Sequence, residues 1–194
     1  EEITVRADEQ NKPDILQYAV TVEQTDKVAA MARIIRQEKL ERVMVFCNTK
    51  GMVERLTKYL EMEGLDAACI HGDIPQQKRE KTMRTFKDGK LPILIATDVA
   101  SRGIDVDDVD CVLNYDIPEE NEYYIHRIGR TGRAKRKGVA ISIIGTLPEQ
   151  AKLDEIAKYS HYQVQPVRFL EDGTLVEAER KKPQAPASRR RFRR

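Results

Sequence analysis

Cysteine is scarce in this chain of 194 residues, and the three present, Cys47, Cys69 and Cys111, stand far apart with no CxxC pair among them. Each lies in or beside an apolar strand-like run, so each reads as a small buried hydrophobe rather than a metal ligand or half of a bridge. A reducing, cytoplasmic compartment is the expectation that follows. Long apolar runs are also missing: none approaches the roughly 18 residues of a membrane span, which argues against a membrane partner. The start, Glu1-Glu2-Ile3-Thr4, lacks the basic and apolar regions of a secretory signal. No GxxxxGK[ST] loop occurs, since the only Gly-Lys pair, Gly89-Lys90, is followed by Leu91. No GxGxxG follows the first strand-like run, which disfavours a dinucleotide-binding Rossmann domain, and no internal repeat is found.

What is present suits one full-sized domain with tails: 40% of the residues are hydrophobic and 34% charged. The net charge of +2 conceals an asymmetry. Eight Lys or Arg and no acid lie between Arg180 and Arg194, leaving residues 1–179 with six more acids than bases. Arg189, Arg190, Arg191, Arg193 and Arg194 surround a lone Phe192, and Pro183, Pro186 and the alanines nearby offer nothing to bury, so residues 169–194 read as a basic, disordered tail suited to a polyanion.

Between the ends, strand-like runs alternate with amphipathic helical stretches, the signature of an α/β domain built on a mainly parallel sheet with helices on both faces. Strands are expected at Ile15 to Val22, Val43 to Cys47, Ala67 to Ile70, Ile93 to Ala96, Asp110 to Asn114 and Val139 to Ile144. Helical stripes run through Val28, Met31, Ala32 and Ile35, through Met52, Val53, Leu56 and Leu60, and from Pro75 to Gly89 with Met83 and Phe86 inward; a last helix spans Leu147 to Tyr159.

In open α/β sheets ligands gather beyond the carboxyl ends of the strands, and those segments here are polar and distinctive. Asn48-Thr49-Lys50-Gly51 puts a hydroxyl, a cation and a glycine at a helix mouth, a setting for phosphate. His71-Gly72-Asp73 follows the next strand, with Gln76 and Arg79 one turn apart beyond it. Thr97-Asp98-Val99-Ala100-Ser101-Arg102-Gly103-Ile104-Asp105 offers Thr97 and Arg102 to phosphate oxygens and Asp105 to a hydroxyl pair such as a ribose. Finally, His126-Arg127-Ile128-Gly129-Arg130-Thr131-Gly132-Arg133 sets three arginines at spacings of three on a short helix and its following turn, expected to share a face. Guanidinium is always charged and its fork matches phosphate oxygens two at a time.

ATDVASRGID followed by HRIGRTGR resembles the DEAD-box group of RNA helicases, and the succession of motifs is similar to their second RecA-like domain over residues 14–168. The resemblance implies that Thr49, Gly72, Arg79 and Thr97, with Arg102 among the phosphate-facing groups, touch the RNA sugar-phosphate backbone. It implies that Gly103 and Asp105 meet the ATP ribose, and that Arg130 and Arg133 act as catalytic fingers on the γ-phosphate. Gln76, His126 and Arg127 belong, on the same grounds, to the surface between domains. Asp98, Asp107 and Asp108 read as structural or solvated. No metal ligand is expected in this chain, because the family keeps its phosphate loop, its DEAD sequence and its Mg²⁺ site in the first RecA-like domain, and none of these sequences is present. The chain therefore reads as the finger-bearing half of a composite ATPase, inactive alone, with residues 1–13 a remnant of the interdomain linker, RNA and the first domain as partners and ATP as the nucleotide. An ATP-independent RNA-binding or annealing module is the alternative.

Overall fold

Four short runs, Val43–Phe46 (β2), Ala67–Ile70 (β3), Ile93–Ala96 (β4) and Cys111–Asn114 (β5), set the architecture, three of them buried along their whole length. A strand that is apolar on both faces can be covered only by layers on each side, which is the situation of a parallel sheet. The computed structural model describes residues 14–102, 104–132 and 137–178. Its single sheet has eight strands in the order β3-β4-β2-β5-β6-β1-β7-β8, where β1 is Ile15–Thr21, β6 Gly138–Ile144, β7 Val164–Phe169 and β8 Leu175–Glu177. Every neighbouring pair is parallel except β7 with β8.

Alternation along each strand divides the core in two. Val43 and Val45 join Met31, Ile34 and Ile35 of α1 (Lys27–Gln37) and Val53, Leu56 and Leu60 of α2 (Lys50–Met62) on one face. Met44 and Phe46 point the other way, towards Phe86 of α3 (Gln76–Lys87), Ala100 of α4 (Asp98–Ser101), Tyr124 and Ile128 of α5 (Asn121–Ile128), and Leu153 and Ile156 of α6 (Leu147–Ser160). The expected sheet with helices on both faces is the one observed. The helix ends follow local chemistry: Thr146 and Glu149 form a reciprocal capping box with Pro148 in the first turn of α6. A buried ion pair secures the same corner, with Lys27 Nζ 2.6 Å from Glu149 Oε1 and 4.8 Å from the Tyr115 ring centre.

The register levels the carboxyl ends: Ile70 lies opposite Ala96, Ala96 opposite Phe46, Phe46 opposite Asn114 and Asn114 opposite Ser142. The loops that follow β3, β4, β2 and β5 are thereby brought to one edge.

One expectation needs correction. The ordered domain does not stop at residue 168, because β7 runs to Phe169 and β8 pairs with it antiparallel, Val167 opposite Glu177. Gln37 donates to the Asp172 carbonyl at 3.4 Å, and the Arg33 guanidinium lies 5.1 Å from the Phe169 ring centre, which holds this arm against α1. The linker at 1–13 and the basic segment from 179 onwards lie outside the described residues. No helix among the described residues is long and apolar enough to cross a membrane.

Candidate functional site

At the carboxyl edge the side chains singled out from the sequence are held by their own helices. Thr49 caps α2 by accepting from the Met52 amide at 3.2 Å, and Thr97 caps α4 by accepting from the Ala100 amide at 3.4 Å. Lys50 reaches across to Asp73 in the loop after β3, 2.5 Å away. Their hydrogen bond, then their charge attraction, raises the Lys50 pKa and lowers that of Asp73. His71, buried behind this pair, contacts Glu54 through Nε2 at 3.1 Å and accepts from the Asp73 amide through Nδ1 at 3.3 Å, which fixes the turn around Gly72. Gly72 is exposed and a Cβ there would meet nothing within 4 Å, so the chain's own packing does not require glycine at this point. Arg79 donates to the Ala100 carbonyl and joins α3 to α4, while Arg102 donates to the Tyr123 hydroxyl with its guanidinium 5.0 Å from that ring centre. Gln76 is exposed and donates to Glu80 at 2.9 Å.

Arg127 departs from expectation. It neither shares an open face with Arg130 nor reaches outward to another domain: its side chain is 1% exposed. Nε and Nη2 grip the two Asp98 oxygens at 2.7 Å each, Nη2 also donates to Asn48 Oδ1 at 2.9 Å, and Nη1 donates to the Asp116 carbonyl at 2.6 Å and to Asn114 Oδ1 at 3.4 Å. The Phe46 ring lies beneath it, 5.3 Å from ring centre to guanidinium carbon. The reason is where α5 ends. Arg127 is in its last turn, where a side chain leans back towards the helix start and so towards the carboxyl edge, whereas Arg130 lies beyond Ile128 in the turn. Sequence reasoning missed Asn48, Asn114 and Asp116 as partners; polar residues at or just past the ends of the apolar strands were the only signal.

Arg130 belongs to the opposite end of the sheet. Its carbonyl accepts from the Val109 amide at 3.1 Å and the Thr131 hydroxyl donates to the Val109 carbonyl at 2.6 Å, just before β5 begins. Arg130 Nη1 donates to the Ile104 carbonyl at 2.6 Å and lies 3.9 Å from Asp107. Gly132 has φ +75°, and a Cβ on Gly138 would come within 2.4 Å of the Gly132 nitrogen, so this turn closes only with glycine at both positions. Arg130 helps line a groove of about 550 Å³ together with the apolar Ile15, Ile104, Ile125 and Tyr162, with Asp105 and Asp107, and with exposed His126. A second depression of about 600 Å³ shares Ile104 and Asp105 and is bordered by Arg79, Arg84, Lys87 and Arg102. The Asp105 side chain is 93% exposed and 3.5 Å from Lys87 Nζ. Of the residues singled out beyond the strands, Thr49, Gly72 and Thr97 stand at the carboxyl edge, Arg130 borders the groove at the opposite end with Asp105, and Arg79 and Arg102 border the second depression beside Asp105. Gly103 and Arg133 lie outside the described residues.

The family model for the helicase conserved C-terminal domain matches residues 26–135, more than half of the chain. The chain belongs to this helicase family. Its relatives place it more closely, within the DEAD-box group. The chain is 43% identical over 166 residues to the ATP-dependent RNA helicase FAL1 of Vanderwaltozyma polyspora, covering 85% of this chain and 41% of that protein. It is similar in structure to a DEAD box protein of the hyperthermophile Methanococcus jannaschii, with TM-score 0.74, 44% identity and coverage of 79% and 42%. It also resembles Saccharomyces cerevisiae Dbp5 solved bound to RNA and ADP BeF3, with TM-score 0.76, 33% identity and coverage of 81% and 42%. This helicase domain thus spans about two fifths of the length of each of these three relatives.

Proposed function

We propose that this DEAD-box domain supplies the arginine fingers and half of the RNA groove of an ATP-dependent RNA helicase, and that it hydrolyses ATP only when joined to a first RecA-like domain bearing the phosphate loop and Mg²⁺ site. The observation that carries the reading is the division of the candidate residues between two surfaces. Exposed hydroxyl and glycine backbone stand on a level row suited to sugar and phosphate, and a carboxylate and a guanidinium flank a groove elsewhere. A nucleotide in that groove fits the residues present. Asp105 is exposed enough to accept from ribose hydroxyls once Lys87 releases it, and Arg130 is braced by the Ile104 carbonyl so that its charge stands at a fixed position. A braced cation costs no reorganisation when negative charge develops on the transferring phosphoryl group, and such fingers are worth roughly 10³ to 10⁵ in rate.

RNA contacts in this reading go to the backbone, so sequence preference is low. The three free thiols fit a reducing compartment, and we place the protein in the cytoplasm. The names of FAL1 and Dbp5's solved complex support RNA and ATP as ligands. The deciding experiment joins the chain to a first RecA-like domain and measures hydrolysis with and without single-stranded RNA. RNA-stimulated turnover is expected, with Arg130→Ala lowering kcat by about 10³ while the fold survives. Turnover by the unjoined chain that persists in Arg130→Ala would overturn the reading.

A further inference from the structure

The buried Arg127 guanidinium has five N–H donors, and five hydrogen bonds leave it for acceptors in three different segments. Asn48 follows β2, Asp98 follows β4, and Asn114 and Asp116 lie at the end of β5 and just past it. The same segments are tied to one another, with the Asn48 amide donating to Asp116 Oδ2 at 2.9 Å and its side chain to the Ile117 carbonyl at 2.9 Å. Asn48 and Asp98 are the chain neighbours of Thr49 and Thr97. At its other end Arg127 is backbone to the turn that holds Arg130, whose amide donates to the Arg127 carbonyl at 3.2 Å. Buried Tyr124 and Ile128 fix α5 against the sheet, so the helix moves as a piece or not at all. A guanidinium without a spare donor cannot let one loop shift unless it drops a bond or moves with the loop, and a dropped bond leaves a buried polar group unpaired.

We propose that Arg127 is a positioning residue that couples occupancy of the carboxyl edge by single-stranded RNA to the placement of Arg130 in the groove at the opposite end of the sheet. The inference rests on the RNA reading above and adds to it a route within this one domain, separate from any closure between domains. Asp98 fixes the plane of the fork, Asn48 and the Asp116 carbonyl register the loops against it, and α5 carries the displacement to the turn at Arg130. Lysine at 127 would keep the charge but reach only part of this set, since a compact ammonium has no fork.

The test uses the full chain labelled at its isoleucine methyls and titrated with a short single-stranded oligo(U) RNA. Ile74 and Ile117 report the carboxyl edge, and Ile104, Ile125 and Ile128 report the groove. In the unaltered chain both sets should shift along one saturation curve. In Arg127→Lys, compared at equal RNA saturation, the edge shifts should persist and the groove shifts should be lost; a role confined to stability would leave the two sets in their original proportion. Asn48→Ala removes one arm without burying an unpaired charge, so it should reduce the groove shifts in part and keeps the test decisive if Arg127→Lys does not fold. Groove methyls that stay silent in the unaltered chain while the edge responds, or that respond undiminished in both variants, overturn the coupling and leave the RNA reading standing. Edge methyls that never respond remove the RNA reading and the coupling together.

Discussion

Arg127 and Arg130 stand three residues apart in one motif and meet opposite surroundings. Around Arg127 the guanidinium is 1% exposed and grips an Asp98 side chain that is 15% exposed. Around Arg130 the guanidinium is 20% exposed, and the nearby Asp105 carboxylate is 93% exposed with only a loose ion pair to Lys87. The first region has spent its hydrogen-bonding capacity on its own chain; the second has a carboxylate facing solvent and a cavity beside it. Within one motif, burial separates an arginine held by its own chain from one beside an open groove more sharply than residue type does.

The largest effect that could break the comparison is on stability. Arg127→Ala leaves Asp98 as an uncompensated, mostly buried charge and should cost about 3 to 5 kcal/mol, read as a fall of roughly 10 °C in melting temperature. Arg130→Ala should stay within about 1 kcal/mol of the parent, since only one close bond to the Ile104 carbonyl is lost. Equal destabilisation by both would erase the distinction.

Next in size is the share of the proposed RNA binding that would belong to the carboxyl edge. The acidic body repels a polyanion at long range, so the eight basic residues from Arg180 to Arg194 should supply much of the affinity. If half of them engage phosphates, the slope of log K against log salt should include a tail-dependent part near −3. Titrations of the full chain and of a version ending at Glu179 check this. Identical slopes would assign binding wholly to the ordered edge.

A smaller effect sharpens the groove side. In the two-domain protein the proposed ribose contact predicts that Asp105→Asn weakens apparent ATP affinity by about tenfold, near 1.4 kcal/mol, since such a contact would position the nucleotide, whereas the proposed finger would meet charge that develops during transfer. A change confined to kcat would contradict that assignment.

Smallest is the Lys50–Asp73 pair, exposed on both sides. Asp73 has a lowered pKa in the fold, so its contribution is present above the ordinary carboxylate value of 3.8 and is withdrawn as pH falls through the lower folded value. Lys50 is raised, so its contribution is present below 10.5 and lost as pH climbs past its folded value. Asp73→Asn should flatten only the acid end of a melting-temperature profile, and any loss at neutral pH should be marginal.

Legibility followed the strength of local pattern. The bounds of β3 and β4 agree with the apolar runs residue for residue, and β2 ends one residue earlier, because a parallel strand covered on both faces, fully in β2 and β4 and at both ends of β3, leaves an uninterrupted apolar signal. The arm formed by β7 and β8 was not legible: QVQPVRF carries a proline and a charge, its residues are mostly half-buried, and its pairing depends on β1, far away in sequence. The site was legible as a set of residues but not as a geometry. Spacing of three predicts a shared face only while the helix lasts, and α5 ends at Ile128.

The sequence by itself determined the alternation of elements, the parallel core and the kinds of group on offer, since these depend on periodicity and on chemistry that each residue carries wherever it sits. Only the tertiary structure decided which arginine is buried, which aspartate holds it and which faces solvent, and that the carboxyl edge and the Arg130 groove lie at opposite ends of the sheet. Those outcomes depend on strand register and on the direction in which α5 returns along the sheet, which bring together Asn48, Asp98, Asp116 and Arg127 from distant points in the chain.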